Sequence, residues 1–269
     1  MRAQTKRVSA VVLISLIMSV LRTIIITYGL ESRSGNDTYY LPNNLEVISY
    51  NIFSIIFAAL FIYTAIAFGR KKTVTLERDL GAVPAASLVL AFSLIGAAAV
   101  YSVSLIMAVE FRFTVIGILI LATTVLSAAK FLISGLRYCK NDLNPQIDAL
   151  TAMAPIFLSV FRLLGDFIRT SSAPLASSGA YHIIGLVAVL LYFLGEGKSY
   201  ISKTAASTFY ICGYIAIFFL LIYSLPNIVL HCFMFNFDYY AAYSVVDIGI
   251  VVYIASRLSS AKLIARDEK

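Results

Sequence analysis

Long apolar stretches separated by short polar segments dominate the chain from one end to the other. A transmembrane helix needs about 20 mostly apolar residues to cross about 30 Å of hydrocarbon. The predicted spans are Val8–Tyr28, Ile48–Phe68, Val83–Val109, Phe113–Leu136, Ala149–Phe167, Ala180–Leu194, Ala205–Leu225 and Tyr240–Arg257. The fifth span is the least apolar and the sixth is short. No A-x-A-like cleavage site follows the first span, so it is expected to be a retained helix.

The segments between the spans are too short to form a soluble domain. The pattern therefore predicts an all-α, polytopic membrane bundle of about eight transmembrane helices, with residues 1–269 forming a single transmembrane domain. An alternative has seven spans, with the fifth helix not fully inserted.

Composition supports a membrane location. Hydrophobic residues make up 60% of the chain and charged residues 13%, whereas soluble proteins have roughly 45–50% and about 25%. The net charge is +7, but the basic residues stand at the ends of spans, and no polar domain carries the basic patch of a nucleic-acid-binding protein. The lipid bilayer is the expected partner, and nucleic acid is not.

The basic residues also predict an orientation. With the N-terminus inside, 15 of the 21 lysines and arginines fall in cytoplasmic segments and 3 in outer loops. Lysine and arginine concentrate on the cytoplasmic side of membrane proteins. We therefore expect a multi-pass protein of the cell membrane with both termini in the cytoplasm. In the seven-span alternative, the basic C-terminal tail would lie outside, which this count disfavours.

The two halves of the sequence show a weak internal similarity. Met18-Ser19-Val20-Leu21-Arg22 in the first span corresponds to Leu158-Ser159-Val160-Phe161-Arg162 in the fifth. Four helices in each half would make residues 1–140 and 141–269 a parallel 4+4 repeat, as in some transporters. Short matches among apolar residues also arise by chance, so both interpretations stay open.

The first span carries a late arginine, and the loop after it reads Gly29-Leu30-Glu31-Ser32-Arg33-Ser34-Gly35, then Tyr39-Tyr40-Leu41-Pro42. This pattern resembles a group of uncharacterised membrane proteins of gut Firmicutes, whose loop reads like D-x-E-T-G-F-Y. The segment from Arg162 to Phe167 also looks like that group, and the similarity covers most of the chain. Asn36-Asp37-Thr38 interrupts the Gly-Phe-Tyr step here. The resemblance implies a multi-pass fold and no mechanism, since the group has no known function.

Four charged residues fall within the spans at similar depth. An ionised side chain at the bilayer centre costs roughly 2.5–3.5 kcal/mol on insertion scales. The topology places Arg22, Arg162, Asp166 and Asp247 in the outer half of the bundle, on three helices. They are the candidate ligand-binding residues.

Two interpretations of this cluster stay open. In the first, the charges are structural: Arg162 pairs with Asp166 at i,i+4 and Arg22 pairs with Asp247 between helices. In the second, they line an outward-facing cavity for a small charged or zwitterionic ligand. Arginine suits carboxylate or phosphate recognition, and a partly buried carboxylate can exchange protons in a coupled transporter.

Lys130 is a fifth charge inside a span and a possible additional site residue. It stands about two turns from the cytoplasmic end of the fourth span, and its long side chain is expected to reach the headgroups. His182 and His231 are expected near the outer surface, without a second histidine or carboxylate at metal-binding spacing.

Sequence signatures of several enzyme classes are absent. The chain has no G-x-x-x-x-G-K-[ST] loop and no G-x-S-x-G elbow. Its three cysteines are widely spaced and show no zinc-site pattern. We therefore expect no enzyme activity, no cofactor and no metal.

Two functional hypotheses follow. The first is a transporter or permease-like protein that binds its ligand at the outer charged cluster. The second is a non-catalytic sensor or accessory subunit with a membrane protein partner, in which the intramembrane charges are structural. A water-accessible cavity at Arg22, Arg162 and Asp247 would favour the first, and a closed bundle with paired charges the second.

Overall fold

The computed structural model describes residues 2–27, 31–34, 37–40, 45–75, 82–107, 115–140, 145–170, 177–201, 204–233 and 239–265. The helices are α1 (Arg2–Thr27), α2 (Leu45–Gly69), α3 (Ala82–Met107), α4 (Val115–Lys140), α5 (Pro145–Thr151), α6 (Met153–Thr170), α7 (Ser177–Ile201), α8 (Ala206–Phe233) and α9 (Tyr239–Ser260). The short helix α5 runs into α6 at Ala152, whose N–H donates to the carbonyl of Asp148 at 3.0 Å. Together they form the fifth span.

Eight helical segments of the described chain are long and apolar enough to cross a membrane. Large apolar side chains such as Leu13, Ile55, Phe92 and Phe167 are exposed on their outer surfaces. Apolar residues over a whole bundle surface are stable against lipid but not against water. The chain is therefore an all-α, multi-pass membrane protein in contact with the lipid bilayer, and the predicted fold class is confirmed.

Most span boundaries lie within four residues of the prediction, but α1 begins six residues earlier than expected and two other helices end later. Helix α7 continues past Leu194 to Ile201, because the carboxylate of Glu196 is buried and paired inside the bundle. Helix α8 continues through Pro226 to Phe233. Proline is tolerated inside a membrane helix because neighbouring groups satisfy the freed backbone carbonyl.

Helix α8 lies at the centre of the bundle. It packs against α1, α2, α7 and α9, while α9 also packs against α3, and α4 and α7 contact α6. Helices α8 and α9 are consequently the most deeply buried of the spans. Helices of both sequence halves share this core, and the parallel repeat stays a prediction.

The described residues outside the helices include five short strands, which the sequence did not predict. They are β1 (Glu31–Ser34), β2 (Asp37–Tyr40), β3 (Lys72–Thr75), β4 (Thr204–Ala205) and β5 (Lys262–Ala265). Strands β1 and β2 form a hairpin between α1 and α2. Strands β4, β3 and β5 form an antiparallel sheet in that order. We call the two ends of the bundle the hairpin face and the sheet face.

The sheet requires an even number of membrane crossings between its strands. Its strands follow α2, α7 and α9, so these three points of the chain lie on the same side. An even number of spans must therefore separate β3 from β4 and β4 from β5. If the fifth span did not cross, β4 would lie on the opposite side from β3. The seven-span alternative is therefore wrong.

The beginning of α1 is fastened to the same face. The side-chain amide of Gln4 donates to the carbonyl of Leu258 at 2.5 Å and to that of Ala261 at 3.0 Å. Both ends of the described chain thus meet at the sheet face.

We predict that Gly69→Ala destabilises the sheet face. A Cβ at Gly69 would lie 2.3 Å from the backbone nitrogen of Ser207 and 2.5 Å from its Cα, where α2 ends against the start of α8. Backbone atoms cannot rotate away, so we expect a loss of about 1–3 kcal/mol or more. Unfolding by SDS titration in mixed micelles measures the change.

Gly96→Ala is the matched control. A Cβ at Gly96 meets nothing within 4 Å, so this variant should unfold within about 0.5 kcal/mol of the parent. Equal effects of the two substitutions would contradict the close contact between α2 and α8.

Candidate functional site

Buried polar side chains gather in the half of the bundle nearer the hairpin face. We call them the hairpin-side network: Arg22, Arg162, Asp166, His182, Ser224 and Asp247. They come from five helices: α1, α6, α7, α8 and α9. Four of them are the residues that the sequence singled out as the candidate ligand site.

Asp247 and Arg162 form the centre of this network. The two side chains are 0% and 4% exposed. Arg162 Nη1 donates to Asp247 Oδ1 at 2.7 Å, and Nη2 donates to Oδ2 at 3.1 Å. The Ser224 hydroxyl donates to the same Oδ2 at 3.2 Å. This bidentate, charge-assisted arrangement is the strongest geometry available to an arginine–carboxylate pair.

His182 links the pair to a second carboxylate. Its Nδ1 lies 2.7 Å from Asp166 Oδ2. Its Nε2 lies 3.2 Å from Arg162 Nη2 and 3.4 Å from Asp247 Oδ2. The imidazole stacks on Tyr223, with ring centroids 4.1 Å apart, which fixes the plane of the ring.

Nε2 of His182 therefore faces both a donor and an acceptor. A guanidinium can only donate, so an unprotonated Nε2 accepts from Arg162. A protonated Nε2 would instead donate to Asp247. The arrival of one proton at this atom changes which partner it favours, without any movement of the backbone.

Aromatic rings surround the charged groups. The guanidinium of Arg162 lies 4.8 Å from the ring centroid of Tyr243, and that of Arg22 lies 4.6 Å from Tyr181. The Tyr243 hydroxyl pairs with Thr124 of α4 at 2.7 Å. The Tyr181 hydroxyl donates to Asn51 of α2. Cation–π contacts of this kind stabilise charges away from water.

The pairing predicted between Arg22 and Asp247 is wrong. Asp247 takes its bidentate partner from α6, namely Arg162, because these two side chains face each other inside the bundle. Asp166 contacts His182 of α7, and its pairing with Arg162 within α6 stays a prediction.

His182 is the member of the hairpin-side network that the sequence reasoning misplaced. It was expected near the outer surface, but it is 7% exposed and lies between both carboxylates. A usable signal existed: the predicted sixth span begins at Ala180 and the eighth at Tyr240, so His182 and Asp247 fall within two turns of the same end of the bundle.

A second charged cluster lies nearer the sheet face. We call Lys130, Glu196, Tyr200, Tyr253 and Arg257 the sheet-side network. Glu196 and Arg257 are 0% and 1% exposed, and Arg257 Nε donates to Glu196 Oε1 at 2.9 Å. The Tyr253 hydroxyl donates to the same oxygen at 2.5 Å. Arg257 Nη2 donates to the Tyr200 hydroxyl at 2.5 Å.

Lys130 and Arg257 depart from their sequence-based interpretations. Lys130 was expected to reach the headgroups, yet it is 3% exposed and its ammonium lies 4.0 Å from the ring centroid of Phe131. The rings of Phe193 and Tyr253 lie within 6 Å of the same ammonium. Arg257 had been counted as a flanking cytoplasmic residue, but it is buried beside Glu196. The snorkelling prediction is therefore wrong.

A small cavity lies between the two networks. It has a volume of about 10 Å³ and is lined by Arg162 of the first network and by Phe131 and Phe193, which contact Lys130 of the second. This volume is at the lower limit for a single water molecule. Asp247 and Arg257 are ten residues apart on α9, so the networks are about 15 Å apart along the bundle.

Among the described residues, no group of three histidine, cysteine or carboxylate side chains is placed to hold a metal ion. No protein-family model, curated protein or solved structure matches the chain. The resemblance to uncharacterised membrane proteins of gut Firmicutes stays a prediction. The function must therefore be inferred from the geometry of the buried networks.

Proposed function

We propose that this chain is a small proton-coupled transporter of the cell membrane. The hairpin-side network binds a small ligand that carries a carboxylate or phosphate group, and a proton on His182 accompanies it. The observation that carries the proposal is the position of His182 Nε2, which lies 3.2 Å from a donor of Arg162 and 3.4 Å from an oxygen of Asp247.

Proton binding and ligand binding are linked through Arg162. Its two Nη atoms both bond to Asp247, and a ligand carboxylate or phosphate would take that place with the same fork geometry. A protonated His182 offers Asp247 another donor, which lowers the cost of releasing Arg162. Arg22, buried in the same half of the bundle, adds positive charge toward an anion.

The proposal includes an orientation. The sheet face lies in the cytoplasm with both termini, because the predicted cytoplasmic segments hold 14 of the 21 lysines and arginines even without the buried Arg257. The hairpin-side network then lies in the outer half of the membrane. The ligand would therefore enter from outside, together with a proton.

We predict that His182→Asn abolishes proton-driven uptake. The purified chain is first screened in detergent for probes that raise its melting temperature, using glutamate, succinate and inorganic phosphate. The stabilising probe is then radiolabelled and its uptake measured in proteoliposomes. An acidic exterior should raise uptake by the parent about 5–150-fold, the usual range of coupling between two sites. The variant should show no such rise, since it lacks the proton acceptor.

His231→Asn is the matched control, because the chain has only two histidines. It should keep the response to acid. If both histidine variants respond to acid as the parent does, or if no probe stabilises the protein, the proton-coupled transporter is wrong.

A second candidate function is a non-catalytic sensor or accessory subunit that binds another membrane protein. The observation that favours it is the closed pairing expected from the sequence for this function: Asp247 and Glu196 are each fully buried against an arginine and a hydroxyl donor. In that case the charges only fix the helix positions. The double variant described in the Discussion separates the two functions.

A further inference from the structure

An apolar groove opens toward the bilayer between α1 and α2, near the sheet face. Its volume is about 340 Å³, and its floor is formed by Tyr214 of α8. Small-ligand pockets have volumes of about 300–1,000 Å³. Ala10 of α1 and Leu60 and Ala67 of α2 line its exposed sides. The groove is far from the hairpin-side network, at the other end of the bundle.

Two cations converge at the sheet-face end of the groove. The guanidinium of Arg7, which lines the groove, lies 4.3 Å from the ring centroid of Phe68. The ammonium of Lys72, on strand β3, lies 4.7 Å from the same ring. Arg7 stands five residues after the start of α1, so it lies about 8 Å from the end of the helix. That depth corresponds to the lipid headgroups.

The floor of the groove carries a polar atom that lacks a partner. Tyr214 is 1% exposed, and within the described part of the chain its hydroxyl has no hydrogen-bond partner. A buried hydroxyl without a partner is costly. Tyr214 stands eight residues into α8, about 12 Å from the helix start. Tyr214 and Arg7 line the same groove.

We propose that this groove binds one anionic phospholipid from the leaflet at the sheet face. The phosphate lies against Arg7 and Lys72, an ester oxygen accepts from the Tyr214 hydroxyl, and one acyl chain lies between α1 and α2. Each part of the lipid meets a matching feature of the groove: cations for the phosphate, a hydroxyl donor for the ester, and apolar side chains for the acyl chain. Phosphatidylglycerol combines these groups and is the probe for the test.

The first test measures headgroup selectivity. The purified full chain in detergent is mixed with phosphatidylglycerol or phosphatidylcholine, and bound lipid is counted by native mass spectrometry. We expect phosphatidylglycerol to be retained over phosphatidylcholine. Arg7→Gln should weaken its binding about fivefold, the effect of one basic residue on an anionic lipid. Arg70→Gln, an exposed arginine at the same face outside the groove, should bind as the parent does.

The second test asks whether the lipid occupies the groove itself. Ala67→Phe fills the groove and should abolish retention, whereas Ala59→Phe, exposed on α2 outside the groove, should not. Tyr214→Phe removes only the hydroxyl and should weaken retention while the protein stays folded.

Three results would overturn the proposal. Equal losses for Arg7→Gln and Arg70→Gln would mean unspecific surface charge. Full retention in Ala67→Phe would place the lipid elsewhere. Equal retention of both lipids, with no effect of Arg7→Gln, would leave only ordinary contact with the bilayer or a groove for a protein segment. The proposal does not depend on transport, so these results do not bear on the His182 experiment.

Discussion

Asp247→Asn is expected to lower the free energy of unfolding by about 3–5 kcal/mol, the usual cost of breaking a buried ion pair by removing one partner. The substitution keeps the size of the side chain but removes its charge. Arg162, 4% exposed and held by both Asp247 oxygens, would then remain as a buried cation without its carboxylate. SDS titration of the purified chain in mixed micelles measures the loss.

The double variant Arg162→Met, Asp247→Leu distinguishes stability from function. Replacing both members of a buried pair by apolar residues is often neutral or stabilising, so the double variant should recover most of the lost stability. If the pair only holds helices together, the chain should keep its biological activity. If the pair binds the ligand, the double variant should fold but transport nothing.

Either of two results would contradict this account of the pair. One is a loss below about 1 kcal/mol for Asp247→Asn, typical of an exposed ion pair. The other is a double variant that is as unstable as the single one.

Glu196→Gln is expected to be similarly destabilising, by about 3–5 kcal/mol. Glu196 is the carboxylate of the sheet-side network, where it accepts from Arg257 at 2.9 Å and from Tyr253 at 2.5 Å. Lys130 is buried in the same network. Neutralising the glutamate would remove the carboxylate that accepts from the buried Arg257 guanidinium. The same SDS titration measures the effect.

Glu46→Gln is the matched control for this substitution. Glu46 is exposed in the first turn of α2, and its substitution should change stability by less than about 0.5 kcal/mol. A comparable loss in both variants would mean that burial of the Glu196 carboxylate does not decide its contribution.

The fold could be predicted from the sequence because the bilayer restricts which structures can cross it. The backbone polar groups of each span must be hydrogen-bonded within a helix. The side chains that face lipid must be apolar, and this requirement leaves a continuous apolar stretch in the sequence. The prediction was incomplete where charge interrupted such a stretch. Glu196 made the predicted span end at Leu194, seven residues before the end of α7, because hydropathy alone does not indicate a partner such as Arg257.

The candidate site was predicted in part. Arg22, Arg162, Asp166 and Asp247 could be identified because a charged side chain within a membrane span is costly and is rarely exposed to lipid. Their partners depend on how far each helix is rotated about its axis, and that rotation is set by packing among α6, α7 and α9. The span starts placed His182 and Asp247 at the same end of the bundle, but the contact between them depends on the same rotation and could not be read from spacing along the chain.

The strands were invisible to hydropathy for another reason. Each has at most four residues, and β3 pairs with β4 and β5 from distant parts of the chain. Pairing of that kind leaves no periodic signal in either segment.

The β4–β3–β5 sheet has a consequence for how the protein is made. Thr73 of β3 bonds to Ile264 of β5, which follows it by 191 residues. At about 5–20 residues per second, the ribosome needs roughly 10–40 seconds to supply that partner. During this interval β3 lacks its partner strand β5, while the remaining helices enter the bilayer. Closure of the sheet-face end is therefore among the last steps of biogenesis. It can occur only after the intervening helices have crossed the bilayer, because the three strands must lie on the same side.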